Sequence, residues 1–315
     1  MAGLVTITSS KELEIVEVAT TADLASRWIQ SLRVKPASVK AYEKGLKRLR
    51  EYFSARGITN PTRADIINYY DFLGAKYSAR TANLYIVSCR RFFAFLYNEG
   101  IISKNVAADI KGFKTGLEHA HNPLTPNAAK KIISDFDTST LLGLRDKCMF
   151  ELMISSGLRC CEIARANVED LDDGGENVIL FVQGKGRDTR EEFVPVPENV
   201  VCLIREYLLK RGCSDGKAPL FASLSNNHKG GRLAIGSISR IMKTAMRAAG
   251  YDNPRLVAHS LRTSAATAAI KSGADILQVQ NLLRHRSPSV TMVYIAEINK
   301  RENPASQMAA GYFGI

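Results

Sequence analysis

Residues 273–294 read Gly273-Ala274-Asp275-Ile276-Leu277-Gln278-Val279-Gln280-Asn281-Leu282-Leu283-Arg284-His285-Arg286-Ser287-Pro288-Ser289-Val290-Thr291-Met292-Val293-Tyr294. Val279, Leu282 and Leu283 recur at helical spacing, so a short helix is expected here, ending at Arg284-His285. Ser287-Pro288 then opens a turn into the segment that carries Tyr294. By itself a tyrosine after a proline-containing turn is most often a packing residue, and this stretch gains meaning only beside others.

Upstream, Gly157-Leu158-Arg159-Cys160-Cys161-Glu162-Ile163 has the form of a turn leading into a helix. Ala258-His259-Ser260-Leu261-Arg262-Thr263 places a histidine and an arginine three residues apart, on one face of a helix. Between them, Val178-Ile179-Leu180-Phe181-Val182 and Phe193-Val194-Pro195-Val196 are β-rich runs around Gly184-Lys185-Gly186, which predicts a hairpin with a basic tip. Each feature alone is common: an arginine after Gly-Leu is usually a surface or salt-bridged residue, and a His-x-x-Arg arises by chance.

The charge balance restricts the partner. The chain of 315 residues carries a formal net charge of +12, and 17 Lys and Arg stand against 6 Asp and Glu between Arg27 and Lys114. Nearly the whole excess therefore lies in one third of the sequence, which favours a polyanion, nucleic acid above all. No apolar run approaches the roughly 18 residues of a membrane span, and no basic and apolar leader opens the chain, so a cytoplasmic protein is expected. Cys89, Cys148, Cys160, Cys161, Cys202 and Cys213 form no CxxC pair and give no disulfide framework. His119 and His121 are a bare pair with no neighbouring ligand cluster, so no metal is expected there.

The basic region reads as helical. From Ser38, Val39, Tyr42, Leu46, Leu49 and Phe53 recur on one face until Gly57, with Lys40, Lys44, Lys47, Arg48 and Arg50 on the other. A second helix is expected over about 64–75. A third follows Ser78, burying Tyr85, Cys89, Phe92 and Leu96 and adding Arg80, Arg90 and Arg91. Phe92, Phe93, Phe95 and Tyr97 read as core rather than as base-stacking residues. Lys40, Lys44, Lys47, Arg48, Arg80, Arg90 and Arg91 are the candidate DNA-binding side chains, since a stripe of one sign suits phosphates.

Cutting a DNA strand while keeping the energy of its bond needs three things. A side chain must attack phosphorus and remain esterified, cations must take up charge on the non-bridging oxygens, and an acid must protonate the leaving oxygen. The quoted motifs supply these groups, and in this order the sequence resembles the tyrosine recombinase (phage-integrase-like) family. Gly157 to Ile163 matches its G-L-R-x-x-E-[IL] box, Lys185 its hairpin lysine, and His259 to Thr263 its H-x-L-R-[HT] box. Gly273 through His285 matches the stretch ending in Gly-His, and Tyr294 stands nine residues after His285. The match covers Leu124 to about Ala296 by motif. One departure is plain: Arg284 holds the place usually taken by glycine, so the local backbone could differ.

The resemblance implies a mainly α fold with a small β-sheet. A helical core-binding domain at 21–111 would follow a loose lead-in at 1–20. A linker at 112–124 would join it to a mixed α/β catalytic domain with a C-terminal tail at 125–315. It implies Arg159 and Arg262 as phosphate clamps, Lys185 as general acid, His259 in proton handling, His285 as a hydrogen bond to phosphate, and Tyr294 as nucleophile giving a 3′-phosphotyrosyl bond. No cofactor, metal or ATP is then needed. Partners would be double-stranded recombination sites, with a homodimer on one site and a homotetramer in the paired complex. Within the family an integrase or transposon-type recombinase of a mobile element is expected first, with an Xer-like dimer resolvase or DNA invertase as the alternative. A type IB topoisomerase shares the catalytic set, and a catalytically silent DNA-binding architectural protein is the alternative of another class. After Asn303-Pro304, the apolar run Met308, Ala309, Ala310, Tyr312 and Phe313 would either pack on its own domain or, as the resemblance implies, pass to a neighbouring protomer.

Overall fold

The computed structural model describes residues 22–115, 121–184 and 189–314; the lead-in at 1–20 and Lys185 lie outside them. The chain divides into two compact units at Gly116 and Leu117. Among the described residues both are mainly helical, and one three-stranded sheet lies in the second.

The first unit holds α1 (Ala22–Ser31), α2 (Pro36–Ser54), α3 (Arg63–Lys76) and α4 (Ala79–Asn98). α2 starts two residues before Ser38, because Pro36 enters the first turn with its φ already helical and no N–H to leave unpaired. α3 is fixed at its start by a capping box: Asp65 accepts from the Thr62 N–H and Thr62 Oγ1 accepts from the Asp65 N–H. The expected apolar face of α2 is buried at Leu46, Leu49 and Phe53, and that of α4 at Tyr85, Cys89, Phe92 and Leu96. Trp28 of α1 closes this core edge-on against Phe92, at 5.4 Å between centroids. Of the four aromatics read as core, Phe92 and Phe93 are buried, whereas Tyr97 is 50% exposed. It falls on the outward side of the last turn of α4.

Within the stretch expected as a linker at 112–124, the described residues are held by side chains at both ends. Asn83 brackets Phe113, donating to its carbonyl at 2.8 Å and accepting from its N–H at 2.7 Å. The Phe113 ring stacks on Tyr70 at 3.9 Å. At the other end, the Leu124 N–H donates to Ser264 Oγ at 2.8 Å. Polar and glycine-rich composition marked the stretch, but side chains distant in sequence pin it at both ends.

The second unit begins with α5 (Pro126–Ser134), capped by Thr125. α6 (Leu141–Ser156) runs through the core, burying Leu144, Cys148, Met149, Phe150, Leu152 and Met153. α7 (Cys160–Arg165) follows, carrying Cys160 and Cys161 half-buried. The sheet is antiparallel in the order β1 (Leu171–Asp172), β2 (Ile179–Val182) and β3 (Glu192–Pro195). The hairpin forms as expected, with Leu180 opposite Val194 and both buried. The two-residue β1 was too short to leave a period in the sequence. Then come α8 (Glu198–Arg211), α9 (Ile235–Ala248), α10 (Ala258–Lys271), α11 (Ile276–Leu283), α12 (Pro288–Arg301) and α13 (Ala305–Phe313).

In the first unit, α2 and α4 approach so closely that Gly45 has no room for a side chain: a Cβ there would lie 2.4 Å from Ser88 Cβ. Gly45→Val should lower the unfolding free energy by about 2 kcal/mol, as overpacking does, and Ser88→Gly should recover part of it. Urea unfolding of both variants checks this, and an unchanged midpoint for Gly45→Val would refute the close packing.

Candidate active site

Three segments far apart in sequence meet in the second unit. α6 ends at Gly157, whose left-handed φ of +59° turns the chain sharply, and a Cβ there would sit 2.8 Å from Leu283 Cδ2. Arg159 follows at the start of α7. Glu162, fully buried, reaches back with both oxygens, taking the Arg159 N–H at 2.8 Å and Arg159 Nη1 at 2.7 Å.

α10 brings Arg262, 1% exposed, beneath this turn. Its Nη1 donates to the Gly157 carbonyl at 2.5 Å and its Nη2 to the Leu283 carbonyl. Two of the five N–H groups of a guanidinium are thus spent on the backbone. Burial first, then the charges of Arg159 and Arg284, hold Arg262 below the ordinary arginine value. That value is so high that the side chain keeps its charge at neutral pH. His259 lies one turn earlier in α10, exposed, with its ring edge-on to His121 at 5.4 Å.

The third segment is α11, its turn and α12. Asp275 and Gln278 form a capping box at the start of α11. At its end Arg284 adopts φ +52°, the one positive φ of a non-glycine residue among those described. The backbone thus takes the left-handed form that glycine favours, despite the side chain. Gln280 Nε2 donates to the His285 carbonyl at 3.0 Å, and His285 Nδ1 and Thr291 Oγ1 are 2.9 Å apart. Tyr294, buried on α12, lies nearly parallel to His285, with centroids 6.1 Å apart and planes at 19°. Burial raises the Tyr294 phenol; Arg262, a hydrogen bond with Thr263 and Arg159 pull it down, but the balance stays upward.

The fold therefore gathers Arg159, Arg262, His285 and Tyr294. It places His259 one turn from Arg262, while Lys185 is outside the described residues. Glu162, Thr263, Gln280 and Thr291 are the participants that sequence reasoning missed. Glu162 could have been found, since a carboxylate three residues into a helix is a capping-box signal. The other three depend on which helix face meets which. An apolar cavity of about 390 Å³ borders Tyr294, lined by Leu124, Pro126, Ala129, Ile154, Ala268 and Ile298.

The candidate DNA-binding residues lie in the first unit. Lys40, Lys44, Lys47, Arg80, Arg90 and Arg91 are exposed. Arg48 pairs with Glu51 at 2.6 Å and covers Tyr77, and Arg91 lies over Tyr42 at 5.1 Å, so these two also brace the fold.

Comparison with known proteins gives matches across both units. The Phage integrase family model matches residues 122–301, and the model of the phage integrase N-terminal SAM-like domain matches residues 25–100. Tyrosine recombinase XerD of Listeria monocytogenes serotype 4b (strain F2365) is 31% identical over 264 residues, covering 82% of this chain and 86% of the relative. Among solved structures, XerH site-specific recombinase bound to palindromic difH substrate matches with a TM-score of 0.68 at 20% identity, over 88% of this chain and 80% of that one. A lambda integrase tetramer bound to a Holliday junction matches with a TM-score of 0.65 at 20% identity, over 86% and 75%.

A phenol raised in the folded state favours its neutral form there. The stability it contributes is present below the ordinary value of 10.0 and is lost as pH rises past it. In protein carrying ¹³Cζ-tyrosine, the resonance missing from Tyr294→Phe should titrate above that ordinary value in the absence of DNA. Tyr294→Phe should also lose stability less steeply on the alkaline side. A midpoint below the ordinary value would mean that the two arginines outweigh burial.

Proposed function

We propose, because the chain belongs to the phage integrase family of tyrosine recombinases, which cut and rejoin DNA, that Tyr294 is the nucleophile and that the surrounding residues act as follows. The Tyr294 oxygen attacks the scissile phosphorus and forms a 3′-phosphotyrosyl ester, while His259 assists in removing the phenolic proton. Arg159 and Arg262 take the non-bridging oxygens as negative charge develops, and His285 adds a hydrogen bond to the phosphate. Lys185 protonates the 5′ oxygen as it leaves. A 5′ hydroxyl from the partner strand then reverses the step, and the ester has conserved the bond energy, so no ATP is consumed. The observation that carries this reading is the convergence of Tyr294 with Arg159 and Arg262, whose charges both act on its phenol.

The exposed basic side chains of α2 and α4, Lys40, Lys44, Lys47, Arg80, Arg90 and Arg91, are assigned to DNA phosphates, with Arg48 beside them. A homodimer would occupy each site and a homotetramer the paired complex, in line with the lambda integrase neighbour, a tetramer bound to a Holliday junction. Of the two biological roles, integration or excision of a mobile element and Xer-like dimer resolution, the 31% identity to XerD favours the second.

Tyr294→Phe should bind DNA as the wild type does yet leave no protein attached to a nicked duplex. Sequencing DNA covalently held by the wild-type protein in cells should return one recurrent site for a resolvase, or the borders of an element for an integrase. Attachment by Tyr294→Phe at the normal level would move the nucleophile elsewhere. Relaxation of supercoiled DNA without strand exchange would favour the topoisomerase reading.

The tail is assigned to the neighbouring protomer. α13 follows Pro304 and buries none of its residues, and Met308, Tyr312 and Phe313 are more than two-thirds exposed. Cutting the chain after Glu302 should leave DNA binding by one protomer intact while assembly of the paired-site complex fails. Native gels and recombination assays read both, and a truncated protein that still assembles tetramers and recombines normally would refute the exchange.

A further inference from the structure

Arg284 occupies a position that costs the fold something. A residue with a side chain held in the left-handed region is strained by roughly 1–3 kcal/mol, a strain that glycine would relieve. Its guanidinium is also almost wholly buried, with 4% of the side chain exposed, and its Nε has no hydrogen-bond partner among the described residues. An arginine in such a place needs a compensating partner. That partner is Glu162, whose Oε2 receives Arg284 Nη2 at 2.8 Å. The same guanidinium donates to the Leu282 carbonyl at 2.6 Å and the Gly157 carbonyl at 3.4 Å, so it also ties the α6 turn to the end of α11.

Glu162 is the carboxylate that holds Arg159, through its other oxygen. Without Arg284, one buried negative charge would face Arg159 and Arg262 alone. Arg159 would be its nearest partner, and the group would present one net positive charge. With Arg284 there are three guanidinium groups against one carboxylate, and Glu162 Oε2 receives the Arg284 guanidinium beside the Arg159 N–H while Oε1 holds the Arg159 guanidinium. Burial pushes the Glu162 carboxyl up, but the charges of Arg284, Arg159 and Arg262 and the Arg159 N–H hold it below its ordinary value. It therefore stays ionised and in need of a cation.

We infer that Arg284 is a positioning residue for DNA cleavage: it takes up the charge of Glu162 at Oε2, so that the Arg159 guanidinium can turn from Oε1 to the scissile phosphate. This rests on the reading of Arg159 and Arg262 as the phosphate clamp. A phosphodiester gains negative charge as the phosphorus is attacked, and preorganised positive charge is most effective when it does not have to be withdrawn from another partner. Arg284 itself does not touch DNA.

The test is single-turnover cleavage of a nicked duplex carrying the DNA site recovered with wild-type protein. Arg284→Gly should bind that duplex normally and cleave it about ten- to a hundredfold more slowly, a smaller loss than removing a group on the phosphate itself. Adding Glu162→Gln removes the orphaned negative charge and should restore most of the rate, which a merely structural defect would not allow. An Arg284→Gly variant that cleaves at the wild-type rate would overturn the inference, as would a double variant as slow as the single one. Should Arg284→Gly fail to fold by circular dichroism, Arg284→Lys decides, since it keeps the charge beside Glu162. It should cleave within about threefold of wild type, and a loss of about a hundredfold in the folded lysine variant would refute the charge argument. If wild-type protein forms no covalent complex at all, the assignment of Tyr294 fails instead, and the two failures are told apart.

Discussion

The buried guanidinium of Arg262 joins the carbonyl that ends α6 at Gly157 to the carbonyl that ends α11 at Leu283. These carbonyls are orphans by nature, since the last turn of a helix leaves its acceptors unpaired. One planar donor with parallel N–H groups satisfies both and thereby sets the distance between the turn bearing Arg159 and the turn bearing His285. Tyr294 hangs from the second turn through α12, so the geometry among Arg159, His285 and Tyr294 follows from where Arg262 sits.

Holding so much positive charge away from water is expensive, and the second unit offsets it with little. Glu162 is the buried anion of the group, shared between Arg159 and Arg284. The result is a site with surplus positive charge, and on the proposed reading the missing negative charge is what a phosphodiester brings. The resting state of Tyr294 fits this: burial keeps the phenol neutral, although two arginines bear on it. On the proposed reading of Tyr294 as nucleophile, staying protonated until a phosphate is in place protects it from idle reaction with other electrophiles.

The first unit has a different task. Its core is a set of aromatics, with Trp28 against Phe92 and Tyr52 against Tyr69, and close approach of α2 to α4 at Gly45. Its outer faces carry most of the net charge of the chain. If the side chains there contact phosphates as proposed, they supply affinity without sequence information, and discrimination among DNA sites comes from base-edge contacts or from how the DNA deforms.

Much of this was legible in the sequence. The helical periods of α2 and α4, the hairpin of β2 and β3 and the order of Arg159, Lys185, His259, Arg262, His285 and Tyr294 are local patterns, readable because side chains repeat with the backbone period. The family could be recognised from five boxes in order, whatever their distances in space. Other features needed the tertiary structure. Tyr97 shares the composition of a core residue yet faces outward, and residues 112–113 and 121–124 have the composition of a linker yet are pinned by Asn83 and Ser264. Most of all, Arg284 looks in sequence like a lapse from the glycine of the family pattern. In space it meets Glu162, which lies 122 residues earlier in the chain. A hydrogen bond between segments so distant leaves no periodicity behind it, because its partners are chosen by how α7 and α11 pack and not by the local propensity of either.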